Sequence, residues 1–252
     1  NTYTINLPAG SYALALDGEA EDANARGDLD LNRSMTIAGA RATATVIDAQ
    51  GIDRAVHIAA GATVTLSGLT VRNGSANPGG AVLIDGSATI ANAAFERNQA
   101  ANTDPSGAGG ALFISSGAAT ITNSRFTANY AGFGGGAIIS AGGPSLTITG
   151  SSFDGNSGGL SGGALYLNGS SASISTSTFV GNSAETGGAV QSNSGTVDIA
   201  NSTFVGNTAI NGGAIDNRLG AMTIGYSTLL NNNASGQGDS LENQTLGSTL
   251  NV

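Results

Sequence analysis

Residues 162–182 read GGALYLNGSSASISTSTFVGN, and this stretch decides the fold. Gly162-Gly163-Ala164 opens it, Leu165 and Leu167 flank Tyr166, Ile174 follows, Phe179 stands five residues later, and Asn182 three beyond that. Apolar residues two apart mark a strand with one buried face rather than a helix. The same phrase recurs six times between residues 79 and 232. Its isoleucines are Ile90, Ile121, Ile148, Ile174, Ile199 and Ile224. Phe95, Phe126, Phe153, Phe179, Phe204 and, once, Leu229 follow at a fixed distance, and then Asn98, Asn129, Asn156, Asn182, Asn207 and Asn232. A period of 25 to 31 residues held in such register is one structural unit stacked on its copies.

Stacking is obligatory because one unit buries too few side chains to offset its own ordering entropy. The residue after each Gly-Gly-Ala is Val82, Leu112, Ile138, Leu165, Val190 or Ile215, always aliphatic, and is predicted to face the core. The next position runs Leu83, Phe113, Ile139, Tyr166, Gln191, Asp216 and is predicted to face outward. Four apolar side chains in that column form a patch that calls for a partner or a cover, and the insertion Gln99–Ala108 is the candidate cover. Paired glycines permit a turn with positive φ and close approach of neighbouring coils. The Asn after each Phe suits a left-handed corner and an amide ladder, and Ser124, Ser151, Ser177, Ser202 and Ser227 suit a second bend.

Working outward, residues 1–78 read as irregular coils of the same body and 233–252 as a partial coil, giving one elongated all-β domain of about nine coils. Candidate early strands are Thr2–Leu7, Tyr12–Leu16, Met35–Ala38, Thr45–Asp48, Ala55–Ile58 and Thr63–Val71, the last ending near a corner Asn73. The 252 residues include 40 glycines, no cysteine and a net charge of −9. That charge disfavours nucleic acid as a partner, and the missing cysteine excludes disulfides and thiolate metal sites. No apolar run reaches the roughly 18 residues of a membrane helix. The chain begins at Asn1 rather than Met, which reads as a processed or excised piece.

The Gly-Gly-Ala-(Ile/Leu/Val) and Phe-x-x-Asn pairing over residues 79–232 resembles the repeats of chlamydial polymorphic membrane proteins, which are surface adhesins. Leu7–Tyr12, Glu21–Asn24 with Gly27–Asp30, and Gly68–Gly74 resemble the start of CSLREA-type bacterial surface proteins, although the heading motif is missing. The resemblance implies a right-handed parallel β-helix at a cell surface and brings no catalytic residues with it.

Any chemistry would rest on the titratable residues. Asp85, Glu96, Asp104, Asp154, Glu185, Asp198, Asp216, Asp239 and Glu242 fall at unrelated repeat positions, with no pair evident on one face. His57, the single histidine, alternates out of phase with Val56 and Ile58 and is predicted to be exposed. The acidic stretch Asp17–Asp30 has oxygen ligands at short intervals, as Ca²⁺ prefers, but neither EF-hand nor nonapeptide spacing. It contains Arg26-Gly27-Asp28, a tripeptide too short to carry meaning. Thr89, Thr120, Thr147, Ser173, Asp198 and Thr223 precede the isoleucines and form an outward hydroxyl column that Asp198 interrupts. Six Asn-x-Ser/Thr sequons permit glycosylation. Since no residue set qualifies as catalytic, metal-binding or cofactor-binding, the expectation is a non-enzymatic extracellular or cell-surface solenoid. It is structural or adhesive, with self-association end to end or with surface proteins and glycans as partners. The alternative is a carbohydrate-active β-helix, a polysaccharide lyase-like enzyme or a glycan-binding module.

Overall fold

Alternating strands and glycine-marked bends stack every coil in register on the next. The computed structural model describes residues 3–16, 27–243 and 249–251. Three long sheets, parallel throughout, are ten, nine and nine strands deep. The isoleucine sheet contains strands such as Ser171–Ser175, the phenylalanine sheet strands such as Thr178–Val180, and the Gly-Gly-Ala sheet strands such as Leu165–Asn168. Among the described residues no helix is long and apolar enough to cross a membrane.

The columns form as expected. Ile90, Ile121, Ile148, Ile174, Ile199 and Ile224 pair one to the next without a register break. Leu66, Ile37 and Ile5 extend that file toward the N-terminus. The five phenylalanine rings stack nearly parallel, with successive centroids 4.9, 4.9, 4.7 and 4.6 Å apart. Those distances match the spacing of hydrogen-bonded strands, so the backbone rungs set the stack. Each ring pair adds about 0.5–1.5 kcal/mol beyond its burial.

Two polar ladders line the bends. Asn129 Oδ1 accepts from the backbone N–H and the Nδ2 of Asn98, both at 3.0 Å. Asn129 Nδ2 donates in turn to Asn156 Oδ1 and to the Phe95 carbonyl, and the pattern runs on to Asn232. The serines form the second ladder: Ser124 Oγ accepts the Ala93 N–H and donates to the Thr122 carbonyl, and later serines repeat this. The buried amides and hydroxyls of these two ladders are thereby satisfied within the stack.

The left-handed residue is not the ladder asparagine but the one before it: Arg97, Ala128, Gly155, Gly181, Gly206 and Asn231. The ladder residue must aim its amide inward, so its outward-facing predecessor makes the reversal. The serine bends work alike, with Asn92, Asn123, Gly150, Thr176, Asn201 and Tyr226 at positive φ. Asn73, read as a corner residue, is left-handed at φ 55°, and Gly74 fills the ladder slot after it by donating to Asn98 Oδ1. The glycine pair divides its work. Gly135 sits at φ 65°, and a methyl on Gly136 would lie 2.2 Å from the Gly163 carbonyl oxygen.

The early coils differ at their edges from the sequence reading. Thr63–Val71 is two strands, Thr63–Ser67 and Thr70–Arg72, because Gly68 turns the chain at φ 61°. The second strand is Gly10–Ala13 rather than Tyr12–Leu16, and Leu29–Leu31 is a further strand.

Candidate functional site

The second position after Gly-Gly-Ala points outward as predicted but is covered over, and the chemistry gathers there. Register places Asp30, His57, Leu83, Phe113, Ile139, Tyr166, Gln191, Asp216 and Glu242 in one column on the outer side of the Gly-Gly-Ala strands. That side is covered: Ile139, Tyr166, Gln191 and Asp216 are all buried. Each coil's approach to its glycine pair folds back over this side. Ala108, Ile139 and Tyr166 form a small second core, with Phe113 and Phe133 packed against it. Phe133 meets Tyr166 edge to face at 6.0 Å. The insertion Gln99–Ala108 supplies only Ala108 to this cover; residues 101–105 are exposed.

Apolar in the middle, the column is ionic at both ends. At the N-terminal end His57 is half-buried, not exposed as predicted. Its Nδ1 lies 3.2 Å from Asp30 Oδ1 and its Nε2 3.0 Å from Asp85 Oδ2. An imidazolium donates to both carboxylates, a neutral ring to one. Asp85 also accepts from Ser115 Oγ. Beside them Arg54 Nε contacts Asp28 Oδ2 at 2.7 Å, and Arg54 N–H donates to the buried Asp53. Burial pushes the Asp28 carboxyl up to about 6, against the pull of Arg54 and with Asp30 and Asp53 adding to the rise. Asp85, read as scattered, is therefore gathered here with Asp28, Asp30 and Asp53. Leu29-Asp30-Leu31 repeats the aliphatic–polar–aliphatic phrase of Val56-His57-Ile58, and that signal could have placed Asp30 against His57.

Of the proposed Ca²⁺ stretch, positions 17–26 lie outside the described residues. Asp28 and Asp30 are engaged as above, and among the described residues no three His, Asp or Glu side chains form a metal site. Asp104, Asp154, Glu185, Asp198 and Asp239 are exposed and separate. At the column's other end Asp216 is fully buried, its Oδ2 accepting from Gln191 Nε2 at 3.0 Å and Arg218 Nε at 3.1 Å. Burial raises its carboxyl pKa against those two partners.

Two further features lie on the surface of the sheets. The hydroxyl column on the isoleucine sheet runs Thr36, Thr65, Thr89, Thr120, Thr147, Ser173, Asp198, Thr223 in register. Its flanks mix Ser, Thr and Ala, as in Ser145, Ser171 and Thr196 on one side and Thr149, Ser175 and Ala200 on the other. On the phenylalanine sheet a groove of about 500 Å³ is lined by Arg72, Glu96, Arg125, Asn92 and Asn123 among others. Both arginines are ion-paired, Arg72 with Asp48 at 2.8 Å and Arg125 with Glu96.

With its stacked parallel coils, this chain belongs to the right-handed β-helix family, whose model, the right handed beta helix region, matches residues 54–235. No curated protein matches the sequence. Among solved structures it is similar to the A-module of the mannuronan C-5 epimerase AlgE4 from Azotobacter vinelandii, at 16% identity and a TM-score of 0.39, covering 100% of this chain and 89% of that one. A likeness that loose carries nothing about chemistry.

Proposed function

We propose that the chain is a secreted or surface-displayed β-solenoid with a structural or adhesive role. It binds by presenting stiff outer faces. The observation that best supports this is the outer side of the isoleucine sheet, a field of small hydroxyl side chains in which Asp198 is the one charge from Thr89 to Thr223. Polar groups in the bends are buried and hold rung to rung, whereas the central hydroxyls of Thr120, Thr147, Ser173 and Thr223 are exposed. The likeness of its Gly-Gly-Ala and Phe-x-x-Asn repeats to those of surface adhesins supports the same placement. Head-to-tail association belongs to this reading, extending the parallel pairing that joins Tyr3–Leu7 to Met35–Gly39. Retention of the labelled chain on cell surfaces and glycan arrays tests it. The expected result is saturable retention that Thr120→Lys with Thr147→Lys abolishes; retention unchanged by that pair would sink the reading of this face. Filaments in electron micrographs would support end-to-end growth, and isolated short rods at high concentration would remove it.

One observation favours the carbohydrate-active reading instead. His57 stands between Asp30 and Asp85, beside an Asp28 carboxyl that burial pushes up to about 6, which is the pairing acid–base chemistry uses. Incubation with acidic polysaccharides, with and without Ca²⁺, decides it. New reducing ends or unsaturated products lost in His57→Ala would establish the enzyme and displace the passive role.

A further inference from the structure

The Asn and Ser ladders pair the buried polar atoms of the bends, yet one group of buried oxygens stays unmatched. Gln191 Oε1, Asp216 Oδ1 and Glu242 Oε2 are buried and have no hydrogen-bond partner. All three belong to consecutive rungs of the column described above: Gln191 pairs with Asp216, and Asp216 with Glu242. Gln191 is 1% exposed and Asp216 0%. The other polar atoms of Gln191 and Asp216 are engaged, since Gln191 Nε2 and Arg218 Nε both donate to Asp216 Oδ2. What remains is acceptors without donors. A buried acceptor left so costs on the order of 1–3 kcal/mol, and three on adjacent rungs call for one common explanation.

Charge points the same way. Arg218 is ion-paired with Asp216, and Glu242 on the next rung brings a second carboxyl close enough to act on Asp216. Successive rungs lie about 4.8 Å apart, a spacing one ion between side chains can bridge with oxygens on both sides. The donor set is entirely oxygen, two carboxylates and an amide carbonyl, with neither imidazole nor thiolate. Such sets suit hard cations, and calcium accepts irregular oxygen shells completed by water where magnesium demands a near-ideal octahedron.

We propose that Gln191 Oε1, Asp216 Oδ1 and Glu242 Oε2 bind a single calcium ion that ties three successive rungs of the Gly-Gly-Ala sheet together. The ion acts as a staple: it supplies the positive charge that the column lacks at this end and satisfies the three oxygens at once. A proton shared between Asp216 and Glu242 is the rival account. It matches two oxygens, leaves the Gln191 carbonyl unmatched and makes no demand for metal. The proposal is independent of the adhesive reading, which neither requires nor forbids it.

The test uses the full chain stripped with a chelator and titrated with Ca²⁺ by calorimetry, followed by thermal melting with and without the ion. One Ca²⁺ per chain is expected, with a melting temperature about 5–10 °C higher at a hundredfold excess over Kd. Tb³⁺ gives a second readout. The chain has no tryptophan, and Tyr166 is one rung from Gln191, so bound Tb³⁺ is excited through tyrosine. Glu242→Gln, at a half-buried position that leaves the fold intact, should weaken Ca²⁺ at least tenfold, as should Asp216→Asn. Gln191→Glu separates the accounts: a third carboxylate tightens a cation site but destabilises a column held by one shared proton. Absence of a calorimetric isotherm, identical melting with and without Ca²⁺, or Ca²⁺ binding unchanged in Glu242→Gln would overturn the proposal.

Discussion

The six regular coils and the coils before residue 79 share one register but hold it by different chemistry. In residues 79–232 like touches like, with ring on ring, amide on amide and hydroxyl on backbone. Earlier the phenylalanine file continues as Val71, Ile47 and Tyr12, and the amide slot falls to a glycine. Ion pairs are concentrated there: Asp48 with Arg72, Asp28 with Arg54, and His57 between Asp30 and Asp85 of the first regular coil. The backbone demands rung spacing and bends, not one particular column. What the regular coils gain is a ladder indifferent to pH and salt. What the early coils gain is a cluster of titratable groups on a covered face.

Breaking one ladder rung should show the largest effect. Asn156→Ala strips the acceptor from the N–H and Nδ2 of Asn129 and the donor from the Phe126 carbonyl, all inside the stack. Unsatisfied buried groups of this kind add to a loss of about 4–6 kcal/mol. Arg72→Ala, which removes a third-exposed partner of Asp48, should cost about 1 kcal/mol or less. Urea unfolding of both variants measures the contrast, and equal losses would mean that the two regions are not held differently after all.

A second pair of variants sharpens the comparison within the regular coils. Gly136→Ala sets a methyl against the Gly163 carbonyl oxygen and should destabilise by about 3 kcal/mol, the upper range for an overpacked site. Gly155→Ala meets nothing within 4 Å but must hold φ at 60°, so its cost is the left-handed strain alone, about 1 kcal/mol. Equal midpoints for the two would show that coil contact is not what the second glycine protects.

The early coils should respond to pH where the amide and hydroxyl ladders of the regular ones do not. Asp28, with its folded pKa raised to about 6, binds its proton more tightly in the native state than in the unfolded one. Its contribution therefore favours the fold at low pH and diminishes as pH climbs from about 4 to 6, with nothing further lost above that. Carbon NMR of the Asp28 carboxyl should show a midpoint near 6; an ordinary carboxylate midpoint would mean that burial is not felt there.

How much of this was legible depends on what repeats. The isoleucine, phenylalanine and asparagine files were readable because each recurs at fixed spacing, and a buried period is a direct record of geometry. The covered side of the Gly-Gly-Ala strands was not readable. Alternation says that Tyr166 and Leu167 face opposite ways, but not that Phe133 returns to lie over the outward one. Asp216 and Gln191 looked like surface residues for the same reason. The His57 cluster was missed because its members come from coils whose spacing is irregular, so their alignment across rungs follows from the fold and not from a period. The left-handed positions were misplaced by one residue, since ladder and bend sit next to each other in every coil.

That displaced bend yields the smallest and most specific expectation. The slot before each ladder asparagine holds Gly155, Gly181 and Gly206 in three coils but Ala128 in another, at φ 52°. Alanine in this region is strained by about 1–2 kcal/mol, whereas glycine there costs roughly 0.5–1 kcal/mol of extra chain entropy. Ala128 is exposed, so trimming its methyl forfeits no core contact. Ala128→Gly should accordingly stabilise the chain by roughly 0.5–1 kcal/mol, a rare case where glycine strengthens a β protein. A loss of stability would mean that the reversal is dictated by the Asn129 amide reaching its partners on either side, with the preceding residue merely following.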